Sequence, residues 1–265
     1  MVCAQSDEDI TRAMKTYCSD RPGASRLDKD LANRHVDWPT RYIEMAAKTR
    51  DTRLHTYYRQ PLAPADTPIS RVPMLALDLE TTGLDDQDDA IISIGLIPFD
   101  YYRIRCNGAV NWIVRPNLPI TEIAVTIHGI THSDVEAAPT FADYFDALLQ
   151  ALAGKVIVAH CHEIERRFLK AATMQLTGEE LQFPMIDTMT IEEEKHPYKR
   201  PNAIQRWFGE INSPSLRLDA SRSRYGLPSY HPHHALTDAL ATAELLQAQL
   251  QDRYDPQTPV SQFWL

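Results

Sequence analysis

No run of about 18 apolar residues occurs anywhere in the sequence, which excludes a membrane-spanning helix. Cysteine is sparse. Cys3, Cys18, Cys106 and Cys161 form no CxxC pair and no even spacing, so a disulfide framework is excluded and free thiols of a reduced, cytoplasmic compartment are expected. Met1–Asp9 is acidic and has no apolar stretch, so no secretory leader is expected. Internal repeats and low-complexity tracts are also missing. Basic charge is in deficit: 27 Lys and Arg stand against 36 Asp and Glu, for a net −9. A surface that coats duplex nucleic acid is normally basic. An acidic one acts on a phosphodiester when metal ions neutralise the site.

What is present is enough apolar material for a sizeable core. Hydrophobic residues make up 43% of the 265, too many for a disordered chain. The length suits one large domain, with or without an appendage. Charge is uneven along it. Residues 1–71 carry 12 Lys and Arg against 10 Asp and Glu, so the 15 and 26 that remain make the rest strongly acidic.

Residues 1–60 are expected to form a helical N-terminal extension. Ile10, Ala13, Met14 and Tyr17 share a helical stripe behind a cap at Ser6; Leu27 and Leu31 suggest a second helix. A third starts near Pro39 and runs through Tyr42, Ile43, Ala46 and Ala47. Three prolines between Pro61 and Pro68 mark residues 61–71 as a linker.

From residue 72 the pattern changes. In Met74–Glu80, Leu75, Leu77 and Leu79 face one way and Ala76, Asp78 and Glu80 the other. Ala90–Phe99 is a nearly continuous apolar strand, and a turn at Asp100–Arg103 leads antiparallel into a third, ending at Val114. Phe141–Leu152 reads as a helix, Lys155–Ala159 as a buried strand, and residues 163–176 and 234–250 as helices. In the last of these Ala239, Ala243, Leu246 and Leu250 line one stripe. The order predicts an α/β domain with a mixed sheet flanked by helices over residues 72–250, followed by a tail at 251–265.

Asp78 and Glu80, at i and i+2 of a strand, place two carboxylates on one face. A divalent cation held by oxygen ligands, Mg²⁺ or Mn²⁺, offsets their repulsion; a solvated edge strand is the competing account. Thr81, Thr82 and Gly83 then end the strand in a turn. The wording Asp78-Leu-Glu-Thr-Thr-Gly83 resembles the first motif of the DEDD exonuclease superfamily, typified by the proofreading subunit of bacterial DNA polymerase III. Val156-Ile-Val-Ala-His160-Cys-His-Glu-Ile-Glu165-Arg-Arg-Phe168-Leu169 resembles the second, with Glu165 where the family has Asp and Cys161 where it has Asn. His233-His-Ala-Leu-Thr-Asp238 resembles the third, in the DEDDh form. Five residues separate His233 from Asp238, about 140° on one helix, so His233 belongs on the entering loop and Asp238 in the first turn. Thr126–Thr131 and Met185–Thr188 resemble the family's nucleotide-lining segment and the strand after the second motif.

The resemblance implies an RNase H-like mixed five-stranded sheet and a 3′–5′ exonuclease that releases 5′-mononucleotides from the 3′ ends of single-stranded DNA or RNA. It implies that Asp78, Glu80, Glu165 and Asp238 hold two Mg²⁺ or Mn²⁺ ions and that His233 is the general base. Thr81, Thr82, Leu84 and His128 are the candidates for gripping the terminal nucleotide. The alternatives are a degenerate member that binds nucleic acid or a partner without cutting, and a phosphodiesterase of short oligonucleotides. Lys195, Lys199, Arg200, Arg217, Arg222 and Arg224 are candidate flanks for a substrate strand, with Tyr198 and Trp207 for stacking; scattered surface charge is the plainer account. Asp85–Asp89 reads as a solvated turn, since Ala90 and the lack of a closing Glu spoil a calcium loop. A protein partner could dock on residues 1–60 or on the tail. Val260–Leu265 faintly resembles the Gln-plus-aromatic peptides that dock into polymerase sliding clamps, against the expectation of a tail packed on its own domain.

Overall fold

The computed structural model describes residues 36–118, 129–196 and 214–265. The two helices expected over residues 1–35 lie outside them. At the centre is β1 (Met74–Thr81), buried along its whole length except for the half-buried Asp78. The leucines fill one side of the sheet, while Ala76 on the other is small enough for a helix to approach. Antiparallel β2 (Ile91–Phe99) pairs with β1, and β3 (Val110–Ile113) pairs with β2. On the other side of β1 lie parallel β4 (Val156–Ala159) and β5 (Met185–Asp187), giving the order β3-β2-β1-β4-β5. The mixed five-stranded sheet is thus present, and β1 is its middle strand rather than an edge. That removes the solvated-edge account of Asp78 and Glu80.

The link from β2 to β3 is longer than the expected turn. Asp100 Oδ1 accepts from Tyr102 N and Arg103 N, and Ile104 bridges back to Phe99. A 3₁₀ turn at Cys106–Gly108 then precedes β3. The helices are α1 (Trp38–Lys48), α2 (Thr52–Tyr58), α3 (His132–Glu136), α4 (Phe141–Leu152), α5 (Glu163–Thr177), α6 (Thr188–Lys195), α7 (Leu218–Arg224) and α8 (Ala235–Arg253). α8 crosses β1 and β2 and is flanked by α6 and α7. Its burial is therefore wider than the predicted stripe: Ala241, Thr242, Leu245 and Gln249 are buried along with Ala239, Ala243, Leu246 and Leu250.

Asp37–Trp264 is one compact unit, so α1, α2 and the proline-rich run 61–71 lie within it rather than outside a domain boundary. Asp37 and Asp51 cap α1 and α2 by accepting from the first-turn amides. The helices bury Trp38, Tyr42, Leu54, Tyr57 and Tyr58. Tyr58 is bonded on both sides of its hydroxyl, donating to Glu180 O at 3.1 Å and accepting from Gln182 N at 2.8 Å. The proline run pairs with the tail: Ile69 N donates to Thr258 O and Val260 N to Thr67 O. Val260, Phe263 and Trp264 are buried, and Trp264 bridges to Ile186 on β5. The clamp-docking reading of the tail is corrected accordingly, because its aromatic side chains are already engaged with their own domain. Among the described residues, no helix is long and apolar enough to cross a membrane.

Candidate active site

Three carboxylates from two elements converge on one face of the sheet. Asp78 and Glu80 come from β1 and Asp238 from the first turn of α8, and their ligand oxygens lie within 4.8 Å of one another. Gly95 makes the approach possible. It stands directly opposite Asp78 in the β1–β2 ladder, and α8 begins on top of it. A Cβ at this position would lie 2.2 Å from the carbonyl carbon and oxygen of Ala235. A glycine inside an otherwise apolar strand is the sequence sign of such a contact, and the sequence reading passed over it.

Asp238 closes the entry to α8. Its Oδ2 accepts from His233 N at 2.8 Å and from His234 N at 3.3 Å, an arrangement that also places a negative group at a helix N-terminus. His233 sits on the entering loop, as its spacing from Asp238 required, with φ +67°. His234 is exposed and is also the helix cap, its Nδ1 accepting from Thr237 N at 3.4 Å. His231 is exposed. Glu165 is buried in the first turn of α5. Among the described residues it stands beside the three-carboxylate cluster and not in it.

The acids act on one another. Lost hydration pushes the Asp78 carboxyl well above the usual range, and the charges of Glu80, Asp238 and Glu165 push it further. Asp238 is raised by lost hydration and by Glu80, with the His233 and His234 amides and the charge of His233 working the other way. Three crowded carboxylates and no nitrogen or sulfur donor make a hard oxygen set, which fits Mg²⁺ or Mn²⁺.

The turn after β1 uses its own polar groups. Thr81 Oγ1 donates to Gly83 O at 2.6 Å and Thr82 Oγ1 to Asp89 Oδ1 at 2.9 Å. The Asp89 carboxylate also accepts from Asp85 N and lies so close to Gly83 that a Cβ there would be 2.4 Å away. Asp86 pairs with Arg167 on α5. The acidic run is therefore a tied loop rather than a solvated turn. Leu84 is half-buried within it, and His128 lies outside the described residues. Beside the acids opens a cleft of about 170 Å³ whose walls include Glu80, Ser93, Asn111, Ile130, Asp134 and His234. Ser93 and Asn111 were not anticipated.

Asp187 holds the β4–α5 turn in place. Its carboxylate accepts from Cys161 N at 3.0 Å, His162 N at 3.3 Å, His162 Nδ1 at 2.8 Å and Met189 N at 2.9 Å. Cys161 has φ +72°, so these bonds hold a non-glycine residue in the left-handed region just before Glu165. Burial opposes ionisation of Asp187, but the hydrogen bond and charge of His162, the charge of His160 and the Cys161 amide outweigh it and bring its pKa from 3.8 to about 2. Ionised Asp187 therefore contributes stability, about 2 kcal/mol, that is fully present above pH 3.8 and lost as pH falls through about 2. Asp187→Asn is expected to destabilise the protein by about 2–4 kcal/mol at neutral pH, since an amide turns donors toward donors. The variant is also expected to lose less stability than the parent between pH 4 and pH 2. Urea unfolding at a series of pH values checks both; equal acid slopes would remove Asp187 as their source.

The proposed strand-flanking cations fare differently. Arg222 is buried on Glu244 at 2.8 Å, and Arg224 grips the fully buried Glu192 at 2.6 Å. Lys195 is bound to Asp252 at 2.7 Å, while Arg217 stays exposed near Asp219. Arg222 and Arg224 are thus internal braces. Tyr198, Lys199, Arg200 and Trp207 lie outside the described residues.

Comparison with known proteins agrees with this geometry. The exonuclease family model RNase_T matches residues 75–246. The chain is 30% identical over 181 residues to a DNA polymerase III subunit epsilon-like protein of Rhodobacter capsulatus, which covers 68% of this chain and 24% of that one. It is 26% identical over 179 residues to the DNA polymerase III subunit epsilon of Treponema pallidum, covering 68% of this chain and 77% of the relative. The chain thus spans about a quarter of the first of these relatives. The nuclease domain of 3′hExo, described as a DEDDh family member bound to rAMP, superposes with a TM-score of 0.53 at 17% identity, covering 68% of this chain and 92% of that domain. The fold is accordingly RNase H-like. With the family model spanning well over half its length, the chain belongs to the exonuclease family.

Proposed function

We propose that the chain is a metal-dependent 3′–5′ exonuclease that hydrolyses single-stranded DNA or RNA and releases 5′-mononucleotides. The observation that carries this reading is the convergence of Asp78, Glu80 and Asp238 next to a histidine on the loop that enters α8. In this reading the three carboxylates would hold two Mg²⁺ or Mn²⁺ ions, and Glu165 on α5 would supply a fourth carboxylate. Bound ions supply a water of lowered pKa and offset the charge that builds on the phosphate. His233 takes the proton of the attacking water as general base. The water oxygen bonds to phosphorus as the bond from phosphorus to the 3′ oxygen of the preceding nucleotide breaks, that oxygen takes a proton from solvent, and the terminal nucleotide leaves with its 5′ phosphate. Thr81 and Thr82 donate their hydroxyls within the turn and the Thr82 amide donates to Ala90 O, so the grip assigned to Thr81, Thr82 and Leu84 falls to the turn amides near Leu84. His128 and the cleft beside Glu80 complete it.

A second reading, a member that binds strands without cutting them, draws on one observation: Glu165 stands outside the three-carboxylate cluster. Digestion of 5′-labelled single-stranded DNA and RNA with Mg²⁺ or Mn²⁺, beside Asp78→Ala, separates the two. A ladder shortening from the 3′ end, absent with chelator and in the variant, is the expected result. Folded protein at high concentration that leaves both strands intact would favour the second reading and make Glu165→Asp the next variant.

A further inference from the structure

The loop between α7 and α8 is attached to α8 at two places. At its end, His233 and His234 donate to Asp238. At its start the attachment runs through Arg222. The Arg222 guanidinium donates to Pro228 O at 2.8 Å, to Ala241 O at 2.6 Å and to Glu244 Oε2 at 2.8 Å. It also lies 4.6 Å from the centre of the Tyr230 ring. Tyr230 in turn donates its hydroxyl to Glu244 Oε1 at 3.1 Å. One buried cation thus joins the loop backbone, the loop's aromatic ring and the α8 backbone one turn beyond Asp238. Between the two attachments lies only His231-Pro232 before His233. Proline restricts that segment, so its course is set largely by where its ends are held.

We propose that Arg222, Glu244 and Tyr230 form a clamp that positions the His233 imidazole for proton abstraction; the inference rests on reading His233 as the general base. These are positioning residues: they act through the loop and touch neither the acids nor the cleft walls named above. A buried arginine beside an aromatic ring suits the task, since its planar fork holds several acceptors in fixed directions.

The test is steady-state digestion of a 5′-labelled oligonucleotide with Mn²⁺ by the parent, Tyr230→Phe, Glu244→Gln and His233→Ala, and by each clamp variant combined with His233→Ala. Tyr230→Phe keeps the stacked ring and removes only the hydroxyl, so it preserves the fold if Glu244→Gln does not. The clamp variants are expected to lower kcat about tenfold, with KM within about twofold of the parent. In the His233→Ala background, itself down about 100-fold, they are expected to add no further loss. Unchanged kcat, or the same fold-loss whether or not His233 is present, would overturn the proposal and leave a brace for the fold alone. If the folded parent cuts nothing, it is the nuclease reading that fails. The clamp is then decided by NMR of the His233 ring, identified by the signal missing in His233→Ala: a shift in Tyr230→Phe sustains positioning, and an unmoved signal ends it.

Discussion

Gly95→Ala is expected to lower hydrolysis by about 100-fold or more and to destabilise the protein by about 3 kcal/mol, although the substitution adds one methyl group to a strand that tolerates branched residues on either side. The new Cβ would stand 2.2 Å from the Ala235 carbonyl carbon and oxygen, atoms of a helix backbone that cannot rotate away. Ordinary contact requires a retreat of roughly 1 Å, a displacement of the size that costs about 100-fold when a catalytic constellation depends on it. The retreat moves the first turn of α8, which carries Asp238 and, through its hydrogen bonds, the backbone of His233. Asp78, paired opposite Gly95, stays on the sheet, so the three carboxylates part company. Turnover of a labelled strand, Mn²⁺ affinity by calorimetry and the thermal midpoint should all fall together. Parent-like turnover in a folded variant would show that the seat of α8 does not govern the site.

The second large effect has opposite signs in its two readouts. Asp78→Asn is expected to abolish hydrolysis, by at least about 1,000-fold, and to raise the stability of the metal-free protein by about 1–2 kcal/mol. The Asp78 carboxyl is held above its ordinary range by lost hydration and by three neighbouring acids. An acid so raised binds its proton more tightly folded than unfolded. Its burden is therefore absent at low pH and grows as pH rises past the usual carboxylate value. The amide removes that burden while preserving shape. Mn²⁺ should raise the midpoint of the parent and leave that of Asp78→Asn nearly unmoved. A variant less stable than the metal-free parent at neutral pH would mean that the acids do not oppose folding.

Much of this site was legible from short-range pattern. Strand alternation placed Asp78 and Glu80 on one face, and the count from His233 to Asp238 put the histidine on a loop and the acid in a first turn, where both are found. Those inferences need only the geometry of a single element. What stayed hidden depends on partners far along the chain. Arg222 and Arg224 look like surface cations until Glu244 and Glu192 meet them, and the aromatics of α1 and α2 look like a separate module until Tyr58 reaches Glu180 and Gln182. The role of Asp187 was hidden similarly: its neighbours in sequence say strand end, while its carboxylate serves a turn 26 residues earlier. Gly95 did carry a local sign, and that sign was missed.

The bridge from Trp264 to Ile186 has a consequence for solubility. Among the described residues β5 is a margin of the sheet, and a bare margin is a template on which other chains can add a strand. A single antiparallel bridge from the buried Trp264 interrupts that template, while the Pro68–Pro259 pairing, poor in amide donors, secures the tail nearby. The closing residues of the unit therefore serve as a guard against self-association, and a label attached directly behind Trp264 would work against the protein's solubility before it touched its chemistry.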